Sequence, residues 1–255
     1  MNAVWNRALA LSLLTVGAVG GMSGAAWATP SPPTPIAIVN PSFEADTVPN
    51  GSSGTQNYWY TGSFTGWAFS GTYGGWYHPA QPAYPGGGNN NSPASGIPDG
   101  VQVAWLNNNG SGDNKLSQVL SATLQSNATY AFSFYVGRRA DFVLPTNYSV
   151  ELLAGSNVLA TLVNPVVATA GTFQQYTLSY TTPFFDPLSG QSLGLALLAS
   201  GSAGGQVNFD NLSLTVVTNA NTYIPEPAVL WLMASGISAL AALQMAKHRG
   251  ASSRG

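Results

Sequence analysis

No cysteine occurs among the 255 residues, so neither disulfides nor a thiolate-bound metal can support the fold. Charge is almost as scarce, at 6% of the chain. Between Thr29 and Tyr223 the basic residues are Lys115, Arg138 and Arg139, set against eight acidic ones, which leaves a formal charge of −5. Such a surface lacks the basic footprint of a nucleic-acid-binding protein. Histidine is confined to His78 and His248. Missing too are a G-x-S-x-G elbow, an H-E-x-x-H pair, a phosphate-binding glycine loop and a cysteine nucleophile. These absences lead to the expectation that the protein is not an enzyme. A paired-carboxylate glycoside hydrolase is the less favoured catalytic alternative.

The two ends of the chain are informative. A single basic residue, Arg7, precedes the apolar run Ala8 to Val19, and small residues lead to Ala26-Trp27-Ala28. These are the parts of a secretory signal peptide, which predicts removal of residues 1–28 and an exported chain. A Pro-rich linker, "TPSPPTP", covers 29–35, and a polar spacer covers 218–224. Between them no linker divides the chain, so one domain is expected over 36–217. Beyond the spacer stand Pro225, Glu226 and Pro227, an apolar run over 228–246, and then Lys247, His248 and Arg249 in a basic tail to 255. Nineteen helical residues at ~1.5 Å each would span roughly one hydrocarbon core. The basic residues would lie on the cytoplasmic side.

The middle of the chain reads as strands. "TYAFSFYVG" alternates Tyr130, Phe132, Phe134 and Val136 on one face. "NYSVELLAG" and "VLATLVN" flank Gly155-Ser156-Asn157, a hairpin connection. Tyr176, Leu178 and Tyr180 align, as do Leu193, Leu195 and Leu197, and again Leu212, Leu214 and Val216. "IAIVN" is expected to start the first strand, and "VQVAWL" and "KLSQVL" are two more. Short strands parted by turns, without an amphipathic helix, predict a β-sandwich. From Asn50 to Asn114 the chain is rich in Gly, Asn, Pro and aromatics, and long loops with a few short strands are expected. Apolar residues follow one phase through Val207 and Phe209 and the other through Leu212 and Leu214, which predicts a bulge at Asp210.

Two phrases carry a resemblance. "IVNPSFEAD" resembles the opening, and "VNFDNLSL" the closing strand, of galactose-binding-like jelly-roll modules, a group that includes many carbohydrate-binding modules. The resemblance implies an all-β jelly-roll sandwich and a structural Ca²⁺ with Glu44 and Asp210 among its ligands, whose carboxylates suit that ion. The alternative is that both carboxylates only bind loop amides. It also implies carbohydrate binding, for which Trp76, Tyr77, Arg138 and Arg139 are the candidates. Trp76 and Tyr77 lie among turn residues in an aromatic set with Tyr58, Trp59, Tyr60, Trp67, Tyr73 and Tyr84, while Trp67 reads as core. Arg138 and Arg139 would donate to hydroxyls or carboxylates; an Arg–Asp clamp with Asp141 is the structural alternative.

The C-terminal composite resembles the PEP-CTERM sorting signal: a Pro-Glu-Pro motif, a membrane helix and a basic tail, and "VGRRAD" is similar to a stretch of related exported proteins. That resemblance implies anchoring in the inner membrane, processing by an exosortase, and release to the cell surface or exterior. Together the two resemblances give the functional expectation: an exported, non-catalytic module that binds exopolysaccharide. A structural or adhesive surface protein without a glycan site is the alternative.

Overall fold

The computed structural model describes residues 31–46, 58–79, 83–85, 96–108, 112–145, 147–201 and 204–219. In chain order the strands are β1 (Thr34–Ile36), β2 (Tyr58–Thr61), β3 (Ala68–Ser70), β4 (Gly74–His78), β5 (Val103–Asn107) and β6 (Asn114–Thr123). They continue with β7 (Ala128–Arg138), β8 (Tyr148–Ala154), β9 (Asn157–Val163), β10 (Thr172–Thr181), β11 (Ser192–Ala199) and β12 (Gln206–Thr218). One sheet runs β10-β7-β12-β5-β4-β2, with β1 also paired to β12; the other runs β3-β6-β11-β8-β9. All pairings are antiparallel. From β5 onward the chain passes repeatedly between the sheets, so sequence neighbours end up in facing layers.

Alternation makes the layers. On β7, Ala128, Tyr130, Phe132, Phe134 and Val136 are fully buried while the residues between them are half-buried, apart from Gly137. On β8, Tyr148, Val150, Leu152 and Ala154 meet them from the facing sheet, together with Leu193, Leu195 and Leu197 of β11. Each such side chain contributes on the order of 1.5–3 kcal/mol by leaving water. Leu178 joins this core, with Tyr176 and Tyr180 packed at its edge. The hairpin between β8 and β9 is closed by Gly155 and Ser156, with Gly155 at φ 57°. Trp67 is core, and its indole N–H donates to the Asn40 carbonyl.

The all-β sandwich is as the sequence predicts. One strand differs: β1 ends at Ile36, and the chain then bends through "VNPSFE", with Asn40 and Phe43 at positive φ. Phe43 is driven into the core by that bend, where it packs on Phe64 and Trp67. The predicted bulge is present: the β12–β7 register shifts between Asp210 and Ser213, and Asn211 sits at φ 48°.

The first sheet has a second buried face. Tyr77, Ala83, Tyr84, Val103 and Trp105 form a separate cluster there, with Ile97 and Phe173 at its edge. The cover is built from residues near 83–85 and 96–102. Tyr84 lies flat on Phe173, with ring centroids 4.6 Å apart. Both pack over Gly137, where an added Cβ would stand 2.4 Å from the Tyr84 hydroxyl and from Phe173. Gly137→Ala is therefore expected to cost about 1–3 kcal/mol through overpacking, measured by urea melts. Phe173→Leu should recover part of the loss in the double variant. Equal midpoints for wild type and Gly137→Ala would show that the cover yields freely.

Candidate functional site

Cross-strand register assembles the site. Trp59 of β2 pairs with Tyr77 of β4, Trp105 of β5 pairs with Asn208 of β12, and Asn107 pairs with Gln206. All project from the covered face of the first sheet, because alternate residues of a strand share a face. Where the cover stops, they surround a half-open pocket of about 280 Å³ lined by Trp59, Tyr73, Tyr77, Trp105, Asn107, Arg139, Phe142 and Gln206. Five of these eight are aromatic. The indole of Trp105 donates to the Tyr60 carbonyl at 3.0 Å, which fixes the ring. The Asn107 Oδ1 atom is buried and lacks a donor.

Among the described residues, Arg139 is the one ionic side chain in the lining. Its Nε and Nη2 donate to the two carboxylate oxygens of Asp141 at 2.9 and 2.8 Å, and Nη1 donates to Gln206 Oε1 at 2.9 Å. Its guanidinium lies 4.9 Å from the Tyr77 ring centroid and 5.3 Å from that of Phe142. Burial works against its charge, but Asp141, with Tyr77 and Tyr84 adding to it, more than offsets this and its pKa rises. The clamp with Asp141 is as the sequence allowed. Arg138 points elsewhere and donates to the carbonyls of Val167 and Ala168. The two arginines thus do not form one donor pair.

Trp76 and Tyr77 do not form one platform either. As successive residues of β4 they face opposite ways. Trp76, 3% exposed, shares the face of Ala104 and stacks on Tyr60, while Tyr77 lies in the covered cluster and the pocket wall.

The metal candidates lie further along the same face. Glu44 Oε1 accepts from the backbone N–H groups of Val101 and Gln102, and its Oε2 accepts from Gln102 Nε2. Gly100, at φ 66°, lets the loop close on that carboxylate, since a Cβ there would lie 2.4 Å from it. Asp210 accepts from the N–H groups of Asp99 and Asn211 at 2.9 and 2.7 Å. Among the described residues, no three His, Cys, Asp or Glu side chains gather as a metal site; both carboxylates are turned onto loop amides. Asp210 does not line the pocket. Asn208, which accepts from the Tyr84 hydroxyl at 2.8 Å, stands between it and Gln206. His78, beyond Tyr77 on β4, has its pKa lowered by burial and also stays out of the lining.

Sequence reasoning missed Trp105, Asn107, Phe142 and Gln206, and did not single out Trp59 and Tyr73. A signal for part of the site was present. Gln206, Asn208 and Asp210 alternate with Val207 and Phe209, and a strand with an apolar core face and a run of amides and acid opposite is marked for a polar, covered surface.

Comparison with known proteins shows what the domain as a whole is similar to. No curated protein matches the chain. Among solved structures, an apo-form cyclase from Fischerella sp. matches at TM-score 0.60 and 24% identity, over 74% of this chain and 98% of that one. A Stig cyclase from Fischerella sp. TAU, in complex with (3Z)-3-(1-methyl-2-pyrrolidinylidene)-3H-indole, matches at TM-score 0.59 and 26% identity, over 74% and 100%. A Fischerella sp. TAU cyclase in complex with 4-(1H-indol-3-yl)butan-2-one matches at TM-score 0.51 and 25% identity, over 74% and 100%.

These findings correct the functional expectation. The sandwich is not assigned to a non-catalytic carbohydrate-binding surface protein, and the expectation that it is not an enzyme falls with it. The PEP-CTERM, exosortase and membrane-helix expectation finds no support in the comparisons, and no described helix is long and apolar enough to cross a membrane. Pro225, Glu226, Pro227, Lys247, His248 and Arg249, like the 228–246 run, lie outside the described residues.

The buried acid generates a pH prediction. Burial, with the nearby Asp99 and Glu44 carboxylates adding to it and the Asp99 and Asn211 amides opposing it, pushes Asp210 up to about 8. An unfolded aspartate titrates near about 4, so the folded state holds an extra proton between those values. The stability this gives is complete below about pH 4 and is lost as pH rises through about 8. In chelator, the melting temperature of wild type should fall from pH 6 to pH 9, and Asp210→Asn should flatten that fall. An unchanged slope in the variant would place the titration elsewhere.

A family model described as HpiC1-like, HpiC1 cyclase, matches residues 34–215, all of the sandwich but the end of β12, and the chain belongs to that cyclase family.

Proposed function

We propose that this protein is a cyclase that closes a ring within an aromatic, indole-type substrate held in the pocket between Trp59, Tyr77, Trp105 and Phe142. The observation that carries the proposal is the coincidence of two things on one domain. The family match spans it, and its pocket walls combine five aromatic side chains with Asn107, Gln206 and Arg139. The indole ligands of the two related cyclases support the same substrate class. On this proposal the sandwich follows the jelly-roll plan, in line with the passage of β5 to β12 between the sheets.

The chemistry needs no nucleophile. Ring closure between two parts of one molecule is favoured when a flexible chain is held folded, with reacting atoms at near-contact distance. Trp59, 59% exposed, supplies a flat face against which an indole can stack, with the largely buried Tyr77 and Trp105 completing the wall, and that face carries the negative part of the ring quadrupole. Positive charge that builds on the substrate during closure is stabilised there by up to a few kcal/mol. Asp141 stays paired with Arg139, so the pocket meets the substrate with a closed ion pair and not with a bare cation.

Incubating the full chain with an indole bearing an unsaturated side chain should give a product of unchanged mass and altered retention by liquid chromatography and mass spectrometry. Trp59, 59% exposed, can be removed without touching the core, and Trp59→Ala should lower kcat/KM by about tenfold or more with the melt unchanged. Failure of the full chain both to bind indole analogues and to form an isomer would overturn the proposal.

Calcium belongs to the proposal as a structural ion, outside the reaction. Glu44 and Asp99 both lie close enough to Asp210 to raise its pKa, and no Lys or Arg among the described residues bonds to them. Gln102 Oε1 is buried beside Glu44 with no donor. Glu44, Asp210 and Gln102 are the residues that would hold the ion, which takes several oxygens in loose geometry. Bound to the native state alone, it would raise stability by about 2.7 kcal/mol at a hundredfold excess over Kd. Thermal melts with chelator and with added Ca²⁺ should therefore differ, and the difference should vanish in Asp210→Ala. Identical midpoints would remove calcium from the proposal. Export rests on the N-terminal sequence, with its apolar run and Ala26-Trp27-Ala28.

A further inference from the structure

We propose that Arg139 sets the substrate specificity of the pocket, by selecting an aromatic substrate whose side chain carries a neutral carbonyl oxygen. The inference rests on the aromatic-substrate proposal above and adds the polar half of the ligand.

A guanidinium has five N–H donors in a fixed plane. Three are taken: Nε–H and one on Nη2 by Asp141, and one on Nη1 by Gln206. One N–H on each terminal nitrogen remains without an acceptor among the described residues. The side chain is 11% exposed and lines the pocket, so these donors meet either the ligand or water there. Tyr77 and Phe142 lie against the guanidinium. With ring contacts of this kind, an acceptor gains most by approaching in the plane of the fork.

The bidentate Asp141 contact does two things. It holds the fork in one orientation, so little entropy is lost when a ligand binds. It also neutralises the charge. A carboxylate entering the pocket would gain from Arg139 but would face Asp141 across the same group. A neutral carbonyl takes the N–H donors without that repulsion. Lysine could not replace this arrangement, because an ammonium lacks the planar fork needed to serve Asp141, Gln206 and a ligand together.

Three probes separate the possibilities, each titrated into the full chain by calorimetry: 4-(1H-indol-3-yl)butan-2-one, 3-butylindole and 4-(1H-indol-3-yl)butanoate. The ketone is expected to bind about tenfold more tightly than 3-butylindole and more tightly than the carboxylate. In Arg139→Met, ketone affinity should drop to that of 3-butylindole, which itself should be unchanged within about twofold. Arg139→Lys should behave like Arg139→Met. If neither variant folds, the wild-type comparison of ketone with 3-butylindole decides alone. Equal affinity of those two probes would overturn the role of Arg139 and leave the aromatic pocket standing. Tightest binding of the carboxylate would overturn the neutral-carbonyl assignment. Binding of none of the three would overturn the aromatic-substrate proposal beneath it.

Discussion

From Gln206 to Asp210 strand β12 is buried on both faces, and the first of these is simple: Val207 and Phe209, with Leu212 and Leu214 beyond the bulge, enter the apolar core. The other face carries Gln206, Asn208 and Asp210, all buried. Polar groups removed from water cost several kcal/mol unless each finds a partner. Much of what is unusual in the molecule serves that requirement. Gln206 is satisfied by Arg139, Asn208 by Tyr84, and Asp210 by the amides of Asp99 and Asn211. The cover over the first sheet is thus held by polar bonds to one strand as well as by the stacking of Tyr84 on Phe173. Gly137 is what lets the cover come so close.

The pocket is the continuation of that face beyond the cover. Where Tyr84 and Ile97 no longer lie over the sheet, Trp105, Tyr77 and Trp59 are the side chains left to form the wall. The Arg139–Asp141 pair closes one side of it. An exposed ion pair of this type would contribute little, but Arg139 is largely buried and bonded to a strand residue as well. Its role is to fix a pocket edge rather than to add much stability. The same bonds that satisfy β12 therefore shape the cavity, and fold and site cannot be altered independently there.

Much of the sandwich was legible because alternation is a local signal. Tyr130 to Val136, Leu193 to Leu197 and the turn at Gly155 each announce themselves within a few residues. So did the Asp210 bulge, since a change of apolar phase within one strand can hardly be accommodated otherwise. The site was less legible because it is made by register. Nothing within "VAWLN" says that Asn107 will meet Gln206, or that Trp105 will lie beside Asn208; those pairs are about a hundred residues apart. Trp76 and Tyr77 show the opposite error. Adjacent in sequence, they invited a shared role, and the pleat sends them to different faces. The early end of β1 at Ile36 was likewise hidden, because the composition of "IAIVN" favours a longer strand; the chain instead turns through Pro41, which places Phe43 in the core and Glu44 against the 96–102 loop.

The expectation of a non-enzyme failed for a related reason. Motif searches succeed where chemistry requires a few residue types at fixed spacing, such as a nucleophile with its base or the ligands of a metal. A reaction that joins two parts of one substrate makes a different demand. It asks for a shape that holds the folded substrate, flat faces that tolerate developing charge, and a few donors at fixed positions. Aromatic side chains, an asparagine, a glutamine and a clamped arginine meet that demand, and each is also an ordinary occupant of a β-sheet surface. Scarcity of charge, which spoke against nucleic-acid binding when the chain was read alone, suits such a site well. Charges beside a bound ligand act on it more strongly than they do in bulk water, and among the described lining residues the one cation is already paired with Asp141, so on the proposed function the substrate's own polarity has the larger say in how the ring closes.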